Sequence, residues 1–133
     1  LPGLQVTVKT QPKTARVKAM LSSQFEMVLV GWNGDYADPL AFLANWQTGA
    51  TANFGNWTDE NYAAALTAAQ TTDVMDNEAR MADLGRAEKI YQTQVPATTL
   101  FDVTNSVMIN PKVTGVQINT VGATFDFTKA AKK

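Results

Sequence analysis

Residues 4–9, Leu-Gln-Val-Thr-Val-Lys, alternate apolar and polar side chains and favour β-branched types, so the pattern predicts a strand, with Pro2-Gly3 as turn chemistry before it. From 14 to 22 the period changes. Ala15, Val17, Met20 and Leu21 recur at three- and four-residue spacing, and Pro12 suits a helix's first turn, so a helix is predicted. The short apolar run at 26–30, Glu-Met-Val-Leu-Val, predicts a buried strand. Strand, helix and strand make one βαβ unit, whose strands should be parallel with a right-handed crossover.

The middle of the chain is helical in pattern. Residues 39–46 predict a short helix begun by Asp38 as N-cap with Pro39 in its first position. A loop of small and amide residues at 49–57 follows, placed either along a cleft or across the surface. Thr58 is expected to cap a helix through Gln70 with Tyr62, Leu66 and Ala69 as its buried stripe, and Asp76 to cap the longest helix, to about Gln94, with Leu84, Ala87, Ile90 and Tyr91 inside. Gly85 weakens that helix by about 1 kcal/mol relative to alanine, which a close helix contact would explain. Arg80 and Arg86 read as a solvated face. Val95-Pro96 ends the helix, 97–103 predicts a strand with a bend before 106–109, Asn110-Pro111-Lys112 is a turn, and 116–127 holds short β-like pieces.

Composition narrows the function classes. A chain of 133 residues is one domain, long enough to bury roughly two thirds of its unfolded surface. With 45% hydrophobic and 17% charged residues it is globular in composition, and no apolar run approaches the ~20 residues of a membrane helix. The net charge of −1 supplies no basic field for nucleic acid, and Lys129, Lys132 and Lys133 make only a short basic tail. Cysteine and histidine are both absent, which removes Cys/His zinc sites, thiol nucleophiles and the Ser-His-Asp arrangement, and leaves oxygen ligands alone for any metal. The opening Leu1-Pro2-Gly3 has neither an initiator methionine nor a signal-like segment, so the chain is expected to be a piece of something longer.

Candidate chemistry concentrates in Gly31-Trp32-Asn33-Gly34-Asp35-Tyr36-Ala37-Asp38-Pro39, at the carboxyl end of the predicted 26–30 strand, where open α/β sheets bind ligands. Trp32 and Tyr36 offer flat apolar walls, the glycines permit tight backbone, and Asp35 and Asp38 bring negative charge. Asp38 is accounted for as a helix cap. Asp35 has two readings: partner of a ligand ammonium group, or closure of an Asx turn. Trp46, on a helix, is better placed as a core aromatic. Glycoside chemistry by Asp35 with Asp38 or Glu60 is poorly supported, and glycine at position 34 falls where a calcium loop needs a ligand.

The ordered series of that stretch, then Phe42-Leu43, then Asn56-Trp57-Thr58-Asp59-Glu60-Asn61-Tyr62, then Ala87-Glu88-Lys89-Ile90-Tyr91 running into Val95-Pro96, resembles the extracytoplasmic oligopeptide-binding proteins of bacterial ABC importers, over nearly the whole chain. The resemblance implies a three-layer α/β/α fold with a mixed sheet, a type II periplasmic-binding-protein lobe that is incomplete here. Residues 1–115 would be the later part of the second lobe, and 116–133 a segment that returns toward the first. It implies an oligopeptide ligand, held at its α-amino group by Asp35, with Trp32 lining the pocket and Asn33, Gly34 and Tyr36 completing the contact. Leu29 stands where some members carry a basic residue for the peptide's carboxylate. The implied partners are the permease subunits, with no catalysis, cofactor, metal or nucleic acid, in an extracytoplasmic protein that can be lipid-anchored. An edge left unpaired by the missing sequence is expected to favour self-association. A carbohydrate-binding or carbohydrate-processing module, and an interaction domain without small ligand, are the rival readings.

Overall fold

The structure is a computed structural model that describes residues 2–133; Leu1, at the start of the expected 1–115 segment, lies outside them. Four α-helices and two small antiparallel ladders follow one another in the order α1 (Lys13–Leu21), α2 (Leu40–Leu43), α3 (Glu60–Gln70), α4 (Asn77–Gln94), β1 (Val113–Thr114), β2 (Gln117–Ile118), β3 (Phe125–Asp126) and β4 (Ala131–Lys132). A single 3-10 turn, Ala44–Trp46, prolongs α2.

The core is helical. It gathers Leu43 from α2, Tyr62, Ala65, Leu66 and Ala69 from α3, and Leu84 and Ala87 from α4, with Trp46, Trp57, Ile90 and Tyr91 packed around it. The small residues Ala65, Ala69 and Ala87 let α3 and α4 approach closely, and Tyr62, Leu66 and Leu84 fill the seam. Full burial of such a leucine stabilises the fold by about 1.5–3 kcal/mol. Tyr62 also donates its hydroxyl hydrogen bond to the Leu43 carbonyl, which fixes α2 on the hairpin. Burial pushes the Tyr62 phenol well above its ordinary titration range. Trp46 packs on Tyr91 with ring centroids 5.0 Å apart, as its core assignment required, and Trp57 meets Tyr62 edge-on at 4.9 Å.

The caps show how local chemistry sets the helix ends. Asp76 accepts from the amides of Glu78 and Ala79, as expected, and α4 ends at Gln94. At α3 the cap is Asp59 rather than Thr58: its Oδ1 accepts the Tyr62 amide at 2.7 Å, and its Oδ2 accepts from Gln94 at the far end of α4. Aspartate one residue nearer the helix reaches the N3 amide that Thr58 cannot. Gly85 also departs from expectation, because a Cβ there would meet nothing within 4 Å; no close contact explains it.

The loop at 49–57 is organised by Asn53, whose side chain is buried and bonds the carbonyls of Gln47 and Trp57 and the amide of Trp57. Ser23, just past α1, donates to the Phe54 carbonyl and accepts from Asn56, so this loop joins α1 to the rest.

The predicted long strands are where sequence and structure part. Residues 4–9, 26–30 and 97–109 join no ladder among the described residues, and Leu4, Val6, Val8, Met27, Leu29, Leu100, Phe101 and Val103 are exposed. The βαβ unit is therefore not closed: its helix forms, one position earlier than expected, and its strands do not. A helix satisfies its backbone within itself, whereas a strand requires a neighbour supplied from elsewhere. The predicted 26–30 strand is tied to α1 through Arg16, which donates to the Leu29 carbonyl at 2.7 Å. Among the described residues only the final third pairs, β1 with β4 (Val113 opposite Lys132) and β2 with β3 (Gln117 opposite Asp126), both antiparallel.

Candidate functional site

The stretch from Gly31 to Asp38 leaves the unpaired 26–30 segment and bends sharply over residues 35–38 before α2 begins. The turn closes when the Asp38 amide donates to the Tyr36 carbonyl at 3.0 Å. Asp38 then starts the helix as its sequence position predicts, accepting the Leu40 amide on Oδ1 at 2.9 Å while its carbonyl takes the Ala41 amide. Pro39 fits the first position because its missing N–H would have had no intrahelical partner.

Arg80 was expected on a solvated face and is not there. From the first turn of α4 it donates Nη1 to Asp38 Oδ2 at 2.9 Å and Nη2 to Asp38 Oδ1 at 3.0 Å, a two-pronged pair between residues 42 apart. The pair holds the Asp38 carboxyl below the ordinary aspartate range, chiefly through the Arg80 hydrogen bonds, which outweigh the opposing effect of burial, with the Leu40 amide adding to the lowering. Arg80 is raised in turn by the same bonds. A signal for this pairing existed in the sequence: a cation in the first turn of a helix faces the positive end of the dipole and calls for a nearby anion.

Gly34 is buried under the ring of Phe42, and a Cβ there would stand 2.8 Å from two ring carbons. Its carbonyl accepts the Gly122 amide at 2.8 Å, from the turn between β2 and β3. Gly122 has φ +75°, and a Cβ on it would lie 2.9 Å from the Asp35 carbonyl oxygen. Only glycine suits both demands. Sequence patterning could not place Gly122 or Phe42 against this loop, since nothing local links them to it.

The five proposed site residues thus fall on one short loop with different surroundings. Trp32 donates its indole N–H to the Ala41 carbonyl at 3.2 Å and remains 47% exposed, so one edge is pinned and one face is open. Tyr36 is 50% exposed, and Asn33 and Asp35 are exposed. Among the described residues the Asp35 carboxylate has no hydrogen bond or ion pair, and so it does not close an Asx turn. The surface offered is an open wall of indole, phenol and one free carboxylate. Two unit charges about 4 Å apart attract by only about 1 kcal/mol in bulk water and several times more where water is excluded, so this wall needs an opposing one to hold an ammonium group firmly. Two shallow hollows lie elsewhere, one between the end of α1 and the 49–56 loop and one on α4 beside Ile90, and neither includes Asp35. No group of acidic side chains suited to a metal ion occurs among the described residues.

No family model matches the chain. The dipeptide-binding protein of Lactococcus lactis subsp. cremoris is 33% identical over 132 residues, 98% of this chain and 24% of the relative. The solved structure of the pheromone receptor PrgZ, which describes its mode of peptide binding, superposes with a TM-score of 0.82 at 29% identity, over 99% of this chain and 25% of that one. A crystal structure of the peptide-binding protein of a peptide ABC transporter matches 71% of this chain and 42% of its own, with TM-score 0.67 and 30% identity. The chain spans about a quarter of the length of the curated relative it matches. The resemblance read from the motifs is therefore shown: almost all of this chain matches part of a peptide-binding, type II-like substrate-binding protein, an α/β lobe that is incomplete in the residues present.

Proposed function

We propose that the chain is part of the substrate-binding component of an ABC importer that captures oligopeptides outside the cytoplasm, and that Asp35 holds the peptide's free α-amino group beside Trp32. The observation that carries this reading is the exposed carboxylate of Asp35, without a hydrogen bond or ion pair among the described residues, on a loop whose backbone is held at Gly34 and Asp38, next to a half-open indole. An ammonium group is the complement of that arrangement, and its charge-assisted bond strengthens when a second lobe excludes water. Trp32, Asn33, Gly34 and Tyr36 complete the wall, and peptide main chain gives affinity without demanding a sequence. Residues 1–115 are read as the later part of the second lobe and 116–133 as a segment that returns toward the first. The chain performs no catalysis in this reading; the longer protein is exported, anchored by lipid or free, and delivers peptide to permease subunits.

Titration calorimetry of the longer protein with a short peptide and its N-acetylated twin tests the reading. The free amine is expected to bind at least tenfold more tightly, a difference of about 1.4 kcal/mol, and Asp35→Asn to erase the preference. Equal affinities for the two peptides would remove Asp35 from the site. A sugar that binds while peptides do not would favour the carbohydrate module instead. The chain by itself is expected to self-associate through its unpaired strand segments; a clean monomer in sedimentation at tens of micromolar would contradict that.

A further inference from the structure

Asp35 carries a side chain unpaired among the described residues, on a backbone held from both sides. On one side the Gly122 amide bonds the Gly34 carbonyl and the Gly122 backbone lies against the Asp35 carbonyl. On the other, the tight turn from Tyr36 to Asp38 begins at the very next residue, and Asp38 is fixed by three bonds, two from Arg80 and one from the Leu40 amide. We infer that Arg80 is a positioning residue for the ligand wall: through Asp38 it sets the direction in which Asp35 presents its carboxylate. The inference rests on the peptide reading above for its ligand, and on the loop geometry for its mechanism.

Three observations make a purely structural role for Arg80 a poor account. First, Arg80 stands outside the α3–α4 core, with its side chain 17% exposed, and its two donors both go to Asp38. Second, its place in the first turn of α4 is electrostatically unfavourable for the helix itself, so α4 gains nothing from a cation there. Third, the planar fork fixes the orientation of the carboxylate plane as well as its distance, which a single charge cannot do. Because α4 is built into the core through Leu84 and Ala87, Arg80 transfers the rigidity of that helix to a loop 42 residues earlier. Ordering a loop before the ligand arrives removes that cost from binding, which is where positioning residues act.

Arg80→Gln retains helix propensity and removes the ion pair, while Arg80→Lys retains the charge and loses the fork. The readout is the ratio of affinities for the free-amine peptide and its N-acetylated twin, measured by calorimetry on the longer protein. Arg80→Gln is expected to lower that ratio about tenfold, with Arg80→Lys between it and the wild type. A structural role alone would weaken both peptides together and leave the ratio intact. If the wild type prefers the free amine, Asp35→Asn abolishes the preference, and Arg80→Gln keeps it whole, the positioning inference is overturned while the peptide reading survives. If the wild type shows no preference, the peptide reading fails. Hydrogen exchange on this 133-residue chain then decides the positioning alone. The Asp38 amide and the Trp32 indole N–H should exchange faster in Arg80→Lys, and unchanged exchange overturns the inference. The same measurement replaces calorimetry if Arg80→Gln does not fold.

Discussion

The α3–α4 hairpin and the segments at 4–9, 26–30 and 97–109 have comparable apolar content and opposite fates. In the hairpin, Tyr62, Leu66 and Leu84 are sealed against each other; in the segments, Val8, Leu29, Phe101 and their neighbours face solvent. Apolar side chains alone do not account for the difference. The hairpin closes within 35 consecutive residues, from Glu60 to Gln94, and its backbone bonds are its own. The segments need ladder partners, and this chain matches only a quarter of its relative's length. A helical hairpin satisfies its backbone by itself, and a lone strand does not.

The largest effect that sharpens the contrast is expected from truncating each side. Leu66→Ala should destabilise the chain by about 2–5 kcal/mol, because it opens a cavity in a fully packed seam. Phe101→Ser, equally drastic in chemistry, should change the unfolding free energy read from chemical denaturation by no more than about 0.5 kcal/mol in this chain. Equal losses from the two would mean that the strand segments are buried in solution.

A smaller effect tests the solvent face of the hairpin. Gly85→Ala places a Cβ in open space on α4 and should stabilise by about 1 kcal/mol, read from thermal unfolding. If it destabilises, another part of this chain packs against α4 at Gly85.

The smallest expected effect is in pH, and it distinguishes the two ends of the hairpin by sign. At Asp59 the Tyr62 amide, then Gln94, hold the carboxyl below the ordinary range. The stability it contributes is therefore present above the unfolded value and is lost as pH falls through the folded one. Asp73, in the α3–α4 turn, is raised, first by the hydrogen bond to Asp83 that only its protonated form can donate, then by burial and by the charges of Asp83 and Asp76, with Arg86 opposing. Its contribution is present at acid pH and is lost as pH rises through the folded value. One oxygen of Asp83, Oδ2, is buried without a donor, while Oδ1 pairs with Arg86 at 2.6 Å. Asp73→Asn supplies an amide donor at every pH, so it should stabilise the hairpin at pH 7 and change little at pH 3. Stabilisation of equal size at both pH values would separate Asp73 from Asp83.

Legibility followed the range of the interaction. The Asp76 cap, the Pro39 start and the Tyr62, Leu66 and Ala69 stripe were readable because cap, period and turn chemistry act within one or two turns. Asp59 displaced Thr58 as a cap, within the one-residue tolerance of such reasoning. The strand patterns at 4–9 and 26–30 were read as strands, but a pattern states a demand for a partner and cannot supply one. At the candidate site, Trp32 and Asp35 stood out by type and neighbourhood. Phe42 and Gly122 did not, because each meets the loop only through the folded chain, and Arg80 offered only its unfavourable place in the first turn of a helix.

The distribution of the three tryptophans carries an optical consequence. Trp46 and Trp57 lie against Tyr91 inside the helical unit, whereas Trp32 stands on the loop with an open face. Their emission therefore separates loss of the hairpin from events at the loop, which in the proposed reading include occupation of the wall. With Trp46 and Trp57 replaced by phenylalanine, the remaining indole becomes an intrinsic fluorophore for ligand arrival, without an attached dye.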